Sequence, residues 1–324
     1  MRYTTLGKST LEVSRIAYGT WQLGGDWGSF DAEQAMAAIR HARELGVTLF
    51  DTAQGYGKGE SERILGTALR SALRTERDSV ILATKGGIAP GDARARDAGA
   101  AFLRAGVESS LRALDTDYID LYQVHWPDPD TPAAETANAL QEMVEQGKIR
   151  HVGVSNYDAA QLAEFDAIRP VETLQPPYHL FRRDIEETIL PYARQHDIGV
   201  LAYSPLGSGL LTGTLRPDSI FEATDWRSKA SAFTGEALRR NLAVVDELAD
   251  FAAQRSCSVA QLAIAWVLAQ PGVHAAIVGA RSKANIEASL AAVEVSLRAA
   301  ELSEIDEITA KGVGVVGARP EGVD

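Results

Sequence analysis

From residue 15 almost to the end of the chain, short β-branched and aromatic runs alternate with longer amphipathic stretches, and the alternation repeats eight times. The runs fall at 15–18, 47–50, 79–84, 118–124, 149–154, 171–175, 198–203 and 275–278. The helical patterns between them cover 32–45, 61–74, 98–114, 131–146, 159–168, 185–195 and 259–269, followed by 283–290. Strand, helix, strand in strict succession makes neighbouring strands parallel. Eight such units close naturally into a barrel, whereas an open doubly wound sheet usually has fewer. The predicted fold is an α/β (β/α)8 TIM barrel, with 1–324 as a single domain. Three pieces lie outside the repeat: an N-terminal hairpin at 3–13, a long loop after strand 7 (206–238) leading into an extra helix to about 255, and a C-terminal helix at 302–311.

Composition narrows the function classes. A net charge of −12 with no basic cluster beyond Arg182-Arg183 and Arg239-Arg240 argues against nucleic acid or an anionic membrane as partner. The single cysteine, Cys257, forms no intrachain disulfide, and the opening MRYTTLGKST lacks a signal peptide's apolar core. The expectation is a cytoplasmic protein with a small-molecule partner, of unknown oligomeric state.

In such a barrel, chemistry sits at the C-terminal ends of the strands and in the loops beyond them. There the second strand ends in Asp51, with Tyr56 following between two glycines in DTAQGYGKGES. The third ends in Lys85 of ATKGG, and the fourth leads to His125 of LYQVHWPDP. Singly, each has an ordinary structural explanation; four ionisable side chains on consecutive strand ends form a constellation. A neighbouring ammonium makes a phenol a better acid, and a buried ammonium needs a counter-charge such as Asp51. His125 can polarise a carbonyl oxygen from the other side. Together they can protonate an oxygen becoming an alkoxide, half of a carbonyl reduction.

The other half is a hydride, which no side chain supplies, so a cofactor is required. GVGVVG at 312–317 matches the dinucleotide fingerprint in letters alone: it follows a helix rather than a strand and leaves only seven residues for the helix that should come next. Later strand ends are better candidates. Ser155, Asn156 and Gln175 can hold a carboxamide, and Tyr203 can stack on a flat ring. Ser204 and the backbone around Gly207 and Gly209 can hold phosphates, with Arg281 and Lys283 as further cations. No metal site is expected. Trp21, Trp27, Trp126 and Trp226 can wall a substrate pocket.

DTAQGYG, ATKGG, DYIDLYQVHWPD, GKIRHVGVSN, LQPPY and YSPLGSGLLTG, spread over nearly the whole length, resemble the aldo-keto reductase superfamily. The branch most similar is the bacterial group that includes general-stress aldo-keto reductases. The resemblance implies NADPH (NADP+) as cofactor, Tyr56 as general acid, Lys85 and Asp51 tuning it, and His125 placing the carbonyl. It also implies cofactor contacts from Gly19, Thr20, Trp21, Asp51, Ser155, Asn156, Gln175 and Tyr203, from Ser204, Pro205, Leu206, Gly209 and Leu210, and from Gly279, Arg281 and Asn285. The carbonyl substrate is expected among Trp21, Tyr56, His125 and Trp126. Where the family often carries Gln or Arg and then Glu-Asn against the adenosine, this chain has Asn285, Ala288 and Ser289, which leaves NADH use open. Two other classes fit the same residues. One is a non-catalytic, cofactor-sensing subunit, as some relatives bound to channels are; the other is a lyase using Lys85 as a Schiff-base amine.

Overall fold

A computed structural model describes residues 1–25, 27–89, 95–222 and 225–315. Two strands, β1 (Tyr3–Thr5) and β2 (Glu12–Ser14), form an antiparallel hairpin. The barrel strands are β3 (Ile16–Gly19), β4 (Leu49–Asp51), β5 (Ile81–Gly86), β6 (Ile119–Val124), β7 (Ile149–Ser155), β8 (Thr173–Gln175), β9 (Gly199–Tyr203) and β10 (Val273–Gly279). Each pairs in parallel with the next, and β10 returns to β3 in the register Ala276 to Ile16, closing the barrel. The predicted fold is observed.

Around it lie α1 (Ala32–Glu44), α2 (Glu60–Thr75), α3 (Ala100–Leu114), α4 (Ala133–Glu145), α5 (Ala159–Asp166), α6 (Ile189–Gln195), α7 (Gly235–Ala253), α8 (Val259–Ala269), α9 (Lys283–Leu290) and α10 (Ala299–Thr309). Their starts follow local chemistry. Asp158 and Ser258, for example, each accept a hydrogen bond from the backbone three residues on, while Gln161 and Gln261 reach back to close capping boxes. Among the described residues no helix is long and apolar enough to cross a membrane.

Alternate strand residues face two cores. Tyr18, Phe50, Leu82, Tyr122, Val154, Val200 and Val278 pack outward in the cluster that includes the helices. Ala17, Leu49, Ile81, Ala83, Leu121, Leu201, Ala275 and Ile277 form a smaller cluster with the hairpin residues Leu6, Leu11 and Val13. Both faces are therefore apolar, which is why the strands read as runs rather than alternations. The hairpin stops the N-terminal end of the barrel: the Lys8 N–H donates to the Asp197 carbonyl, and Leu6 lies against Gly199, the first residue of β9. Gly7, at φ +54°, comes so close that an added Cβ would sit 2.2 Å from the Gly199 nitrogen.

Most elements begin or end within two or three residues of expectation, the C-terminal helix at Ala299–Thr309 among them, and two boundaries differ in an instructive way. The helix predicted at 185–195 is a short turn, Asp184–Glu186, and then α6. Pro191 explains this, because its ring is tolerated in a first turn but would strike the carbonyl four residues back if the helix ran through. The extra helix begins at Gly235, so the irregular insertion after β9 ends earlier than the predicted 238.

Candidate active site

The strand ends bring Asp51, Tyr56, Lys85 and His125 together. Lys85 is wholly buried, and its Nζ donates to Asp51 Oδ1 at 2.6 Å, the Thr52 carbonyl at 2.9 Å and Tyr56 Oη at 3.4 Å. An ammonium has three protons, and here each has an acceptor. The His125 ring stands edge-on to that of Tyr56 with centroids 5.6 Å apart, while the indole of Trp21 lies 6.2 Å away on another side. Tyr56 is thus buried. The glycines beside it are unequal: Gly55 has ordinary right-handed angles, whereas Gly57 has φ +59° and lies so near Gly24 that a Cβ would be 2.7 Å from its carbonyl oxygen. Gly57 is what lets the loop fold the tyrosine inward.

From Asp51 a second chain of hydrogen bonds crosses the mouth. Gln175 Nε2 donates to Asp51 Oδ2 at 2.8 Å, and Ser155 Oγ donates to the Gln175 carbonyl at 2.8 Å. Asn156, at φ +63°, donates to Ser155 Oγ and to the His125 carbonyl, and Tyr203 Oη donates to Asn156 Oδ1 at 2.8 Å. Thr20 is buried with its hydroxyl on the Asp51 carbonyl, and Gly19 leaves room for Ile277. Beyond β9, Ser204, Gly207, Ser208 and Gly209 all have positive φ, with Pro205 and Leu206 inside the turn and Leu210 buried behind it. Successive left-handed residues turn backbone N–H groups to one side, a concavity suited to anions. His179 packs against Gly207, and burial pushes its pKa down to about 3, so the ring beside this turn is a neutral imidazole.

After β10, Gly279 accommodates the Gln22 side chain. Arg281 donates to the Trp27 carbonyl at 2.6 Å, a backbone partner that leaves its charge without a direct ion pair among the described residues. Asn285 sits in the first turn of α9, its N–H on Ser282 Oγ. The aromatic wall is a chain: Trp21 meets Trp27 edge-on at 4.8 Å, and Trp27 meets Trp226 at 6.0 Å. Trp126 is buried with the Arg96 guanidinium 5.4 Å from its ring.

Sequence reasoning missed Arg227. Its guanidinium is bidentate on Asp225, Nε to Oδ1 and Nη2 to Oδ2, donates to the Ser208 carbonyl at 3.2 Å and lies 5.0 Å from the Trp27 ring. The acid-x-base spacing in DWR, inside the long loop after strand 7, was the available signal. Arg227 is paired with Asp225, and Arg281 lies within electrostatic reach of both, so this corner beside the left-handed turn holds more positive than negative charge and its donors fit the phosphates of a dinucleotide. The letters GVGVVG do not: Gly312 packs on Phe181, the Val313 N–H donates to Asn241, no strand precedes them, and 316–317 lie outside the described residues.

The sequence matches the family described as Aldo/keto reductase family over residues 15–310. The chain belongs to the aldo-keto reductase family. It is 44% identical to aldo-keto reductase YhdN of Bacillus subtilis (strain 168) over 291 residues, 89% of this chain and 87% of that protein. To a probable voltage-gated potassium channel subunit beta of Arabidopsis thaliana it is 32% identical over 311 residues, 91% and 92% of the two chains. The solved glycerol dehydrogenase AKR11B4 from Gluconobacter oxydans superposes with a TM-score of 0.87 at 39% identity, covering 96% of each chain. As an aldo-keto reductase, the protein is an NAD(P)H-dependent oxidoreductase.

Proposed function

We propose that this aldo-keto reductase uses NADPH to reduce aldehydes or ketones, sugar carbonyls among them, to alcohols, with Tyr56 as the general acid. The observation that carries the reading is the Lys85 ammonium, held between the Asp51 carboxylate and the Tyr56 hydroxyl. The nicotinamide, when bound, supplies the hydride. Tyr56 gives its proton to the carbonyl oxygen as that oxygen becomes an alkoxide, and the ammonium stabilises the phenolate left behind. Asp51 keeps the ammonium in place. His125, edge-on to Tyr56, sets the direction from which the carbonyl approaches. Ser155, Asn156 and Gln175 would hold the carboxamide, Tyr203 would lie against the ring, and the 204–210 turn would take the pyrophosphate. Arg281, without a carboxylate of its own among the described residues, supports a preference for the 2′-phosphate.

The test follows nicotinamide absorbance with NADPH and a panel of aldehydes that includes glyceraldehyde, and in the reverse direction NADP+ with glycerol, the substrate class in a structural relative's name. Wild type is expected to turn over, and Tyr56→Phe to lose about a hundredfold or more in kcat. An inert wild type, or an undiminished Phe variant, would sink the reading.

One relative's name favours a second reading, a cofactor-binding subunit that senses rather than catalyses; the same inert wild type, with cofactor still bound, would support it. The lyase reading is opposed by the three acceptors around Nζ, since a Schiff base needs a free amine lone pair.

A further inference from the structure

The residues flanking the proposed site groups include three threonines: Thr20 before the pocket residue Trp21, Thr52 after Asp51, and Thr84 before Lys85. All three are wholly buried, and their hydroxyls meet the same turn of one helix. Ser61 Oγ lies 2.7 Å from Thr20 Oγ1, 2.9 Å from the Thr20 carbonyl and 3.1 Å from Thr52 Oγ1. Thr84 Oγ1 donates to Glu62 Oε1 at 2.6 Å. Ser61 and Glu62 are themselves without exposure.

A buried carboxyl and a cluster of buried hydroxyls are costly unless satisfied. Here Glu62 Oε1 and the hydroxyls of Ser61, Thr20, Thr52 and Thr84 have partners, while Glu62 Oε2 has none among the described residues, so what holds the arrangement is the hydroxyl contacts and the Oε1 bond. The plainest use for a Ser-Glu pair in a helix's first turn is capping. That use is not made here: the cap position is Gly59, with no side-chain hydrogen bond, and Ser61 and Glu62 reach sideways to the strands instead. Their helix, α2, follows directly on the turn that carries Tyr56. One helical turn therefore ties the ends of β3, β4 and β5 to the segment bearing Tyr56. The tie is short: Thr52 meets Ser61 through its hydroxyl while its carbonyl receives Lys85 Nζ, and Thr84 is Lys85's immediate neighbour on β5.

We propose that Ser61 and Glu62 are positioning residues that, by clasping Thr20, Thr52 and Thr84, hold the Lys85 ammonium in register with the Tyr56 hydroxyl. This rests on the reading that Tyr56 and Lys85 perform the chemistry. Displacing reacting groups by about an ångström can cost on the order of a hundredfold in rate. Loss of the clasp therefore falls on kcat, while the cofactor groups beyond β7, β9 and β10 are untouched.

The experiment compares wild type, Tyr56→Phe, Thr84→Val, Thr84→Ser and Ser61→Ala for kcat, carbonyl KM, NADPH dissociation constant by fluorescence, and thermal midpoint. Valine keeps the shape of threonine without its hydroxyl, and serine restores the hydroxyl. The expected result is a drop of about ten- to a hundredfold in kcat for Thr84→Val, with KM and cofactor affinity within about threefold of wild type, and recovery of most of the loss in Thr84→Ser. A Thr84→Val enzyme with wild-type kcat, or one that loses cofactor affinity in step with kcat, overturns the proposal. If Thr84→Val does not fold, Ser61→Ala carries the same decision: kcat must fall while cofactor affinity stays. Failure of the broader reading looks different, because then wild type or Tyr56→Phe departs from expectation first.

Discussion

Gly57 is the residue whose loss has the most direct consequence. Alanine there would take up a left-handed backbone, at about 1–2 kcal/mol, and would push against the Gly24 carbonyl. Gly57→Ala should lower both the thermal midpoint and kcat, whereas Gly55→Ala, at right-handed angles and with only ordinary contacts to Ile88, should do little to either. A melting curve and a rate for each decide it; equal effects would deny Gly57 its special role. At Arg281 the expected outcome concerns recognition. Removing a charged donor to a phosphate is worth about 1.5–3 kcal/mol. Arg281→Ala should therefore weaken NADPH by roughly tenfold or more and leave NADH nearly unchanged. An unchanged ratio of the two affinities would remove Arg281 from the phosphate site.

The N-terminal hairpin shows how an element outside the repeat supports it. Leu6 has no exposed surface and packs in the barrel-interior cluster. Leu6→Ala should cost about 2–5 kcal/mol in a denaturant titration, with kcat per folded molecule unchanged because the active side chains lie at the opposite end; a loss under about 1 kcal/mol would mean the hairpin is not the plug it looks like. Elements of this kind were legible in the sequence because their pattern is local: apolar runs of strand length, amphipathic runs of helix length, Gly and Pro between them. The four proposed catalytic residues were legible for a related reason, since barrel topology carries every strand end to one mouth. Arg227 was not, because its insertion has no period and its partners Ser208 and Trp27 are brought to it only by the fold. The roles of Thr20, Thr52 and Thr84 were hidden as well. A threonine in a strand is ordinary, and only the docking of α2 shows that three of them share a neighbour.

For the whole molecule, acidity is the condition to vary. His179 is held neutral by burial, with a pKa of about 3, and burial lowers that of His274 as well. In the unfolded chain a histidine titrates near ~6.5. Above that pH both states are neutral and the difference is silent. Below it the unfolded chain takes up protons that the native one refuses, so stability falls as pH drops, by about 1.4 kcal/mol per pH unit for His179 down to its folded value. Buried Glu62 and Asp120, whose pKa values burial raises, act in the opposite sense, from their ordinary values upward to their raised ones. The clean readout is therefore a difference: urea unfolding at pH 7.5 and 5.5 for wild type and His179→Asn, the variant losing about one proton's worth of slope. Parallel slopes would mean that His179 is not held neutral in the native state.

With one end of the barrel stopped by the hairpin and its interior filled by leucine, isoleucine and alanine, the protein is a cup rather than a tube. On the proposed reading, carbonyl and dinucleotide would share the open end of the cup, the dinucleotide held by residues after β7, β8, β9 and β10. The order of traffic follows from shape. With one opening for two guests, a carbonyl seated over the dinucleotide would have to leave before the dinucleotide could.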